Sequence, residues 1–259
     1  MSTATDSISI ITRRGLLIRL GALIGVGAAV LRSLHLDEAG AATKPPCLPC
    51  NPERPETPNE ALEALMKGNA DWASGNQVHP GEDSARRACS ANVECSQRPF
   101  AAILLCVDSR VPPELLFDQG IGDLFPARVA GNSVVEILED SLRYGTENLG
   151  ALVLFVLGHS NCGAVMASVR SFINSEPPEF AFEAPIYPAV AAARKIVRKQ
   201  GGNPDDPAQV DPVAIDQHVI LTVQQLGKTD PFRRLVKQGK LLVTGGRYDL
   251  DTQKVTILI

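Results

Sequence analysis

The chain has 259 residues, enough for one or two domains with a substantial core. Its hydrophobic content of 44% and charged content of 21% are ordinary for a globular protein, so neither a disordered nor a fibrous class is indicated. A formal net charge of -4, with no stripe of interleaved basic and aromatic residues, argues against nucleic acid as a partner, and six cysteines are too few for a disulfide scaffold of this length.

The chain opens with Thr12-Arg13-Arg14-Gly15-Leu16-Leu17-Ile18, a paired-arginine start, followed by a Gly/Ala/Leu-rich stretch. Ala39-Gly40-Ala41 then supplies small residues of the kind a signal peptidase accepts. The uncharged run Leu20 to Leu31 is 12 residues, against roughly 20 for a membrane span. Residues 1–42 therefore read as a twin-arginine signal peptide rather than a retained anchor. The export machinery is one expected partner, and the periplasm or another extracytoplasmic lumen the expected location. Residues 43–57 are proline-rich and read as a linker, and 58–259 as the folded domain. Cys47, Cys50, Cys89 and Cys95 would face an oxidising compartment. A redox pair or half a zinc knuckle at Cys47-x-x-Cys50 is weakly supported; a structural disulfide fits better. Pairing of Cys89 with Cys95 is open, since spacing does not fix connectivity.

Thr57 is a candidate N-cap and Pro58 a first helical residue. Ala61, Leu65, Met66 and Trp72 repeat at helical spacing, with Gly68-Asn69 and Ser74-Gly75-Asn76 marking where the helix weakens or ends. Such an outlying helical arm needs a surface to lie on, and a partner subunit is one candidate. Ala101 to Leu105 is a continuous apolar run, the mark of a strand covered on both faces. If the extended backbone persists, Cys106, Asp108 and Arg110 point the same way. A short strand ends near Arg128-Val129-Ala130, and Val134, Leu138 and Leu142 give a helical face. Ala151 to Leu157 is the second buried strand, ending in Gly158-His159-Ser160-Asn161-Cys162-Gly163. Helices are expected over 164–173, 189–199 and 213–226, then a strand over 240–246, a hairpin over 249–253 and an edge strand. The alternation predicts an α/β fold. Its central sheet is mainly parallel and flanked by helices, with an antiparallel C-terminal edge strand and an N-terminal helical arm.

Two thiolates, an imidazole and a carboxylate (Cys106, Cys162, His159 and Asp108) form a donor set suited to tetrahedral zinc. Both halves end predicted parallel strands, where open α/β proteins keep their chemistry. Cys106, His159 and Cys162 fill three positions and leave a fourth open, as a catalytic zinc requires. Arg110 can pair with Asp108 through two hydrogen bonds and hold it off the metal. His79 and His218 read as surface or core histidines rather than proton shuttles.

Cys106-x-Asp108-x-Arg110 with His159-x-x-Cys162, 53 residues after Cys106, resembles the beta-class carbonic anhydrases. The likeness runs from about Thr57 to the C-terminus and includes Gln97-x-Pro99, Gly122-Asp123-Leu124-Phe125 and Tyr248 to Thr252. Arg128-Val129-Ala130-Gly131-Asn132 matches a segment that usually begins Arg-Asn, with Val129 in place of the asparagine. The resemblance implies zinc-dependent reversible hydration of carbon dioxide to bicarbonate and a proton. It also implies a substrate pocket of the plant type formed by Gln97, Phe125, Tyr144 and Gly163, an open zinc position, and Asp108 as a fourth ligand only in a closed state. Pockets in that family sit at a dimer interface, implying a homodimer or higher even assembly. Two alternatives remain: hydrolysis of carbon disulfide or carbonyl sulfide on the same scaffold, and a non-catalytic zinc or bicarbonate-binding protein.

Overall fold

The computed structural model describes residues 50–92 and 96–259. The signal segment, the first part of the linker, Cys47 and Cys95 lie outside the described residues. No helix among those described is long and apolar enough to cross a membrane.

Eight α-helices and five strands are described. Helices α1 (Pro58–Ser74) and α2 (Ser84–Ser90) precede β1 (Ala101–Leu105), α3 (Pro113–Leu116), β2 (Leu124–Arg128) and α4 (Glu136–Arg143). A π-turn over Tyr144–Asn148 extends α4 and leads to β3 (Val153–His159). Next come α5 (Gly163–Asn174), α6 (Glu183–Lys199), α7 (Pro207–Leu226), α8 (Phe232–Lys237), β4 (Leu242–Tyr248) and β5 (Val255–Ile257). The sheet order is β2-β1-β3-β4-β5; the first four strands are mutually parallel and β5 runs antiparallel to β4.

Alternation along the strands builds two cores. Ile103, Leu105, Val153, Phe155 and Leu157 face one side with Leu65, Leu116 and Phe117. Ala102, Leu104, Leu154 and Val156 face the other with Leu142, Val219, Val223 and Phe232. Both faces of β1 and β3 are thus covered, which is why their sequences are unbroken apolar runs. A third cluster joins α5, α6 and α7 and reaches Cys106 and Cys162.

Helix α1 starts as its sequence requires: Thr57 and Glu60 form a reciprocal capping box with Pro58 in the first turn, and Gly75 ends it at φ 74°. Gly68-Asn69 does not weaken the helix. A Cβ at position 68 would lie 1.7 Å from the Phe117 carbonyl oxygen, so glycine allows α1 to dock on the α3 end. Buried Asn69 donates to the Leu116 and Gln253 carbonyls and accepts from the Val255 N–H, joining α1 to the terminal hairpin. Helix α1 has a surface to lie on within its own chain, where Ala61 and Leu65 are fully buried in the core.

The proline-rich arm is helix-free over 50–57, but it is pinned. Cys50 forms a disulfide with Cys89 in α2, across 39 residues. That excludes both the Cys47–Cys50 redox pair and the Cys89–Cys95 pairing. Helices α2 and α3 have no counterpart in the sequence reading, being short and without apolar periodicity.

Candidate metal centre

Parallel pairing in register, Leu105 opposite Leu157, brings the ends of β1 and β3 together at the carboxyl edge of the sheet. Cys106 follows β1, His159 ends β3, and Cys162 caps α5. All three are buried, and their donor atoms lie within 4.8 Å of one another. Zinc bonds of about 2.3 Å to sulfur and 2.0 Å to nitrogen put tetrahedral donors roughly 3.5–3.8 Å apart, so a small closure around an ion satisfies the geometry.

The histidine carries the clearest sign. Its Nδ1 lies 3.0 Å from the Ser160 carbonyl oxygen, which can only accept, so Nδ1 holds the proton. Nε2 is then an unprotonated lone pair, buried and without a hydrogen-bond partner. An uncompensated buried acceptor is costly, and a metal ion relieves it.

The thiols agree. The Cys162 side chain, hydrogen-bonded to Cys106, brings the Cys106 thiol down to about 4; burial opposes that shift, and the Gly131 N–H reinforces it. The same bond, together with burial, pushes Cys162 upward, against weaker help from N–H groups at the start of α5. One thiolate forms readily; a second beside it requires a cation. The donor set therefore fits a divalent metal with two sulfur ligands.

Asp108 stands next to this triangle, its Oδ2 3.9 Å from His159 Nε2. The extended backbone does not persist beyond Cys106, contrary to expectation. Residues Asp108 to Val111 turn, and the Arg110 N–H closes on Asp108 Oδ1 at 2.9 Å. The Arg110 side chain forks onto both carboxylate oxygens at 3.0 and 2.7 Å. That side-chain pairing, more than the backbone N–H, holds the Asp108 carboxyl down to about 2 despite partial burial. Asp108 is thus an anion throughout the neutral range.

Three groups outside the predicted set shape this edge. The Arg128 guanidinium donates to the Cys106 and Asp108 carbonyls at 3.0 and 2.7 Å and fixes the turn between them. The Gly131 N–H points at Cys106 Sγ at 3.3 Å, and its carbonyl accepts from His218 Nε2 at 2.8 Å. Gly131 has φ 67°, and a Cβ there would press on Ile186 at 2.8 Å. The glycine in Ala130-Gly131-Asn132 was the available signal. No local pattern links it to His218, 87 residues away.

His218 is a core histidine, whereas His79 is exposed and 3.7 Å from Glu82. Burial lowers the His218 imidazole to about 4, opposed by the bond to Gly131. The folded value lies below the unfolded value of about 6.5. Its stabilising effect is therefore complete above that value and is lost as pH falls from about 6.5 towards 4. His218→Gln keeps an N–H donor for Gly131 and cannot titrate. Denaturant melts at pH 7.5 and 5.0 are expected to show a loss smaller by about 2 kcal/mol in the variant than in the parent.

Within one subunit the predicted pocket groups are not gathered at the donor triangle: Gln97 precedes β1 and Phe125 pairs with Ala102 in the amino half of the sheet, whereas Cys106 follows the carboxyl end of β1. Phe125 and Tyr144 approach with ring centroids 6.4 Å apart, and Phe125 packs beside Gly145. Tyr144 is 50% exposed, Gln97 is exposed, and Gly163 begins α5 with open space where a Cβ would stand. The apolar side chains Val107, Leu115 and Ile121 are also exposed on or near the loops that follow β1.

Fold and site together define a class: an α/β protein with a three-donor Cys–His–Cys zinc-type centre at the carboxyl edge of a parallel sheet. The family model for "Carbonic anhydrase" matches residues 101–255. The carbonic anhydrase of Mycolicibacterium smegmatis is 33% identical over 198 residues, covering 76% of this chain and 91% of that one. The solved beta-carbonic anhydrase CcaA superposes with a TM-score of 0.56 at 22% identity, over 76% of this chain and 94% of that one. A solved chain of one of two tetrameric beta-carbonic anhydrases of Sordaria macrospora gives 0.54 at 20% identity, over 77% of this chain and 97% of that one. The chain belongs to the beta-carbonic anhydrase family, whose members are zinc enzymes.

Proposed function

We propose that this chain catalyses the reversible hydration of carbon dioxide to bicarbonate and a proton, with Cys106, His159 and Cys162 as zinc ligands. The observation that carries this reading is the unpartnered His159 Nε2, buried within a triangle of donors beside a clamped carboxylate. Zinc supplies the Lewis acidity that makes water a nucleophile near neutral pH. Asp108 is the catalytic residue: its anionic carboxylate accepts a hydrogen bond from the attacking water and orients its lone pair towards carbon. Arg110 positions Asp108 and keeps it from taking the fourth ligand place. Phe125 and Tyr144 form an apolar wall for a linear, nonpolar substrate, Gln97 donates to a substrate oxygen, and Gly163 leaves room beside Cys162.

A homodimer or higher even assembly completes the pocket. Support comes from the exposure of Gln97 and Tyr144 and of Val107, Leu115 and Ile121 in one subunit, and the Sordaria relatives are tetrameric. Residues 1–42 act as a twin-arginine signal, placing the protein in the periplasm or another extracytoplasmic lumen; of the 43–57 segment expected as a linker, the part from Cys50 onward is tied to the 58–259 enzyme domain by Cys89 and Arg54. The Cys50–Cys89 disulfide supports an oxidising destination. Stopped-flow assays with a pH indicator, run with carbon dioxide and carbonyl sulfide in parallel, test the activity. Zinc-loaded protein is expected to accelerate carbon dioxide hydration and to prefer it; a rate no higher than buffer, or a preference for carbonyl sulfide, defeats the proposal. Mass analysis of the mature N-terminus after cell fractionation tests the signal.

A further inference from the structure

Two of the pocket groups sit on segments held by the arm and by α2, and one covalent bond makes the arm and α2 a single unit. Asn51, next to Cys50, donates from Nδ2 to Asp123 Oδ1 at 2.8 Å. Arg86, three residues before Cys89, pairs with the same oxygen and donates from Nε to the Ile121 carbonyl at 2.7 Å. The second carboxylate oxygen of Asp123 takes the Gly120 N–H at 2.9 Å, and its carbonyl takes the Phe100 N–H at 2.8 Å. Arg86 and Asp123 are only 6% and 3% exposed, so the pair is a fixed point rather than a solvated contact. Phe125 lies two residues beyond it.

The other hold is Arg54. Its guanidinium donates to the carbonyls of Arg98, Pro99 and Gly150 at 3.1, 3.2 and 2.8 Å. Arg98 directly follows Gln97. The arm thus grips both the segment that presents Gln97 and the loop that feeds Phe125 into β2, and the disulfide ties that grip to α2.

We propose that the Cys50–Cys89 disulfide, acting through the positioning residues Asn51, Arg54 and Arg86, braces the substrate pocket of the assembled dimer by fixing the segments that present Gln97 and Phe125. This rests on the pocket assignment made above. A disulfide serving stability alone would have no reason to report at those two segments. The brace does.

The test compares the parent with Cys50→Ser/Cys89→Ser and, with the disulfide left intact, Arg54→Ala and Arg54→Lys. Zinc content is expected to stay at parent level, and kcat to stay within about twofold. KM for carbon dioxide is expected to rise about 3–10-fold, because misplacement of binding groups spares the activated water. The pH profile keeps its position, and Arg54→Lys recovers part of the loss. Amide exchange is expected to speed up over 96–100 and 119–125 but not over 153–163. Parent-like KM and exchange in Arg54→Ala and in the double variant overturn the brace, as does a joint loss of zinc and kcat. If the double variant fails to fold, Arg54→Ala decides alone. If the parent itself does not hydrate carbon dioxide, the function proposal falls, while the exchange pattern still decides the brace.

Discussion

Cys162→Ser is expected to leave a folded protein that has lost its zinc and nearly all carbon dioxide hydration. Cys162 occupies the N-cap of α5, and serine is among the better N-cap residues, so the substitution spares the helix while removing a sulfur donor. A serine hydroxyl is far less acidic than a thiol and does not give up its proton to zinc at neutral pH. The remaining pair, Cys106 and His159, leaves two protein ligands where a catalytic site needs three. Loss of an outer partner of a ligand typically costs 10–100-fold in affinity, and loss of a ligand itself should exceed about 100-fold. Elemental analysis, a thermal melt and stopped-flow hydration read the three consequences separately. A Cys162→Ser protein with parent zinc content and rate would remove Cys162 from the metal centre. Cys106→Ser is expected to behave alike in zinc and rate.

The parts of this architecture visible in the sequence are those encoded by local pattern. The apolar runs of β1 and β3 declare strands buried on both faces, and His159-x-x-Cys162 at the end of one of them offers a candidate ligand pair, which the structure brings together with Cys106. The start of α1 is written in Thr57, Pro58 and Glu60. What was not visible depends on contacts between distant segments. The bond between Cys50 and Cys89 spans 39 residues, and spacing alone allowed other pairings. The bracing of Cys106 by Arg128, and of Gly131 by His218, exists only once β2 and α7 have packed. Gly68-Asn69 has the composition of a helix weakness, yet it serves as a docking notch because the missing side chain lies against a backbone carbonyl. The Asp108–Arg110 pair was legible as a pair but not as a shape. A two-residue spacing suits an extended strand facing one way, and the structure reaches the same contact through a turn closed by the Arg110 N–H.

That turn makes Asp108 the second decisive position. Asp108→Asn is expected to lower kcat/KM about 100–1000-fold, the usual scale for a lost proton acceptor or a misoriented reacting group, while zinc content is unchanged. Zinc is retained because Cys106, His159 and Cys162 form the donor triangle without Asp108. The amide cannot accept on both sides as the carboxylate does, so it loses one bond of the Arg110 fork and turns an N–H towards the other donor. The pH profile separates the roles. With its carboxyl held at about 2 by Arg110, Asp108 does not titrate near neutrality, so the acid limb of the parent profile belongs to another group. Asp108→Asn should therefore depress the whole profile without moving that limb; a limb that vanishes would assign the titration to Asp108 itself. Arg110→Gln is expected to cost about 10–100-fold through Asp108, which loses its two side-chain anchors. Because Arg110 works through Asp108, the double variant should be about as slow as Asp108→Asn alone. Multiplicative losses in the double variant would mean that Arg110 touches the reaction independently.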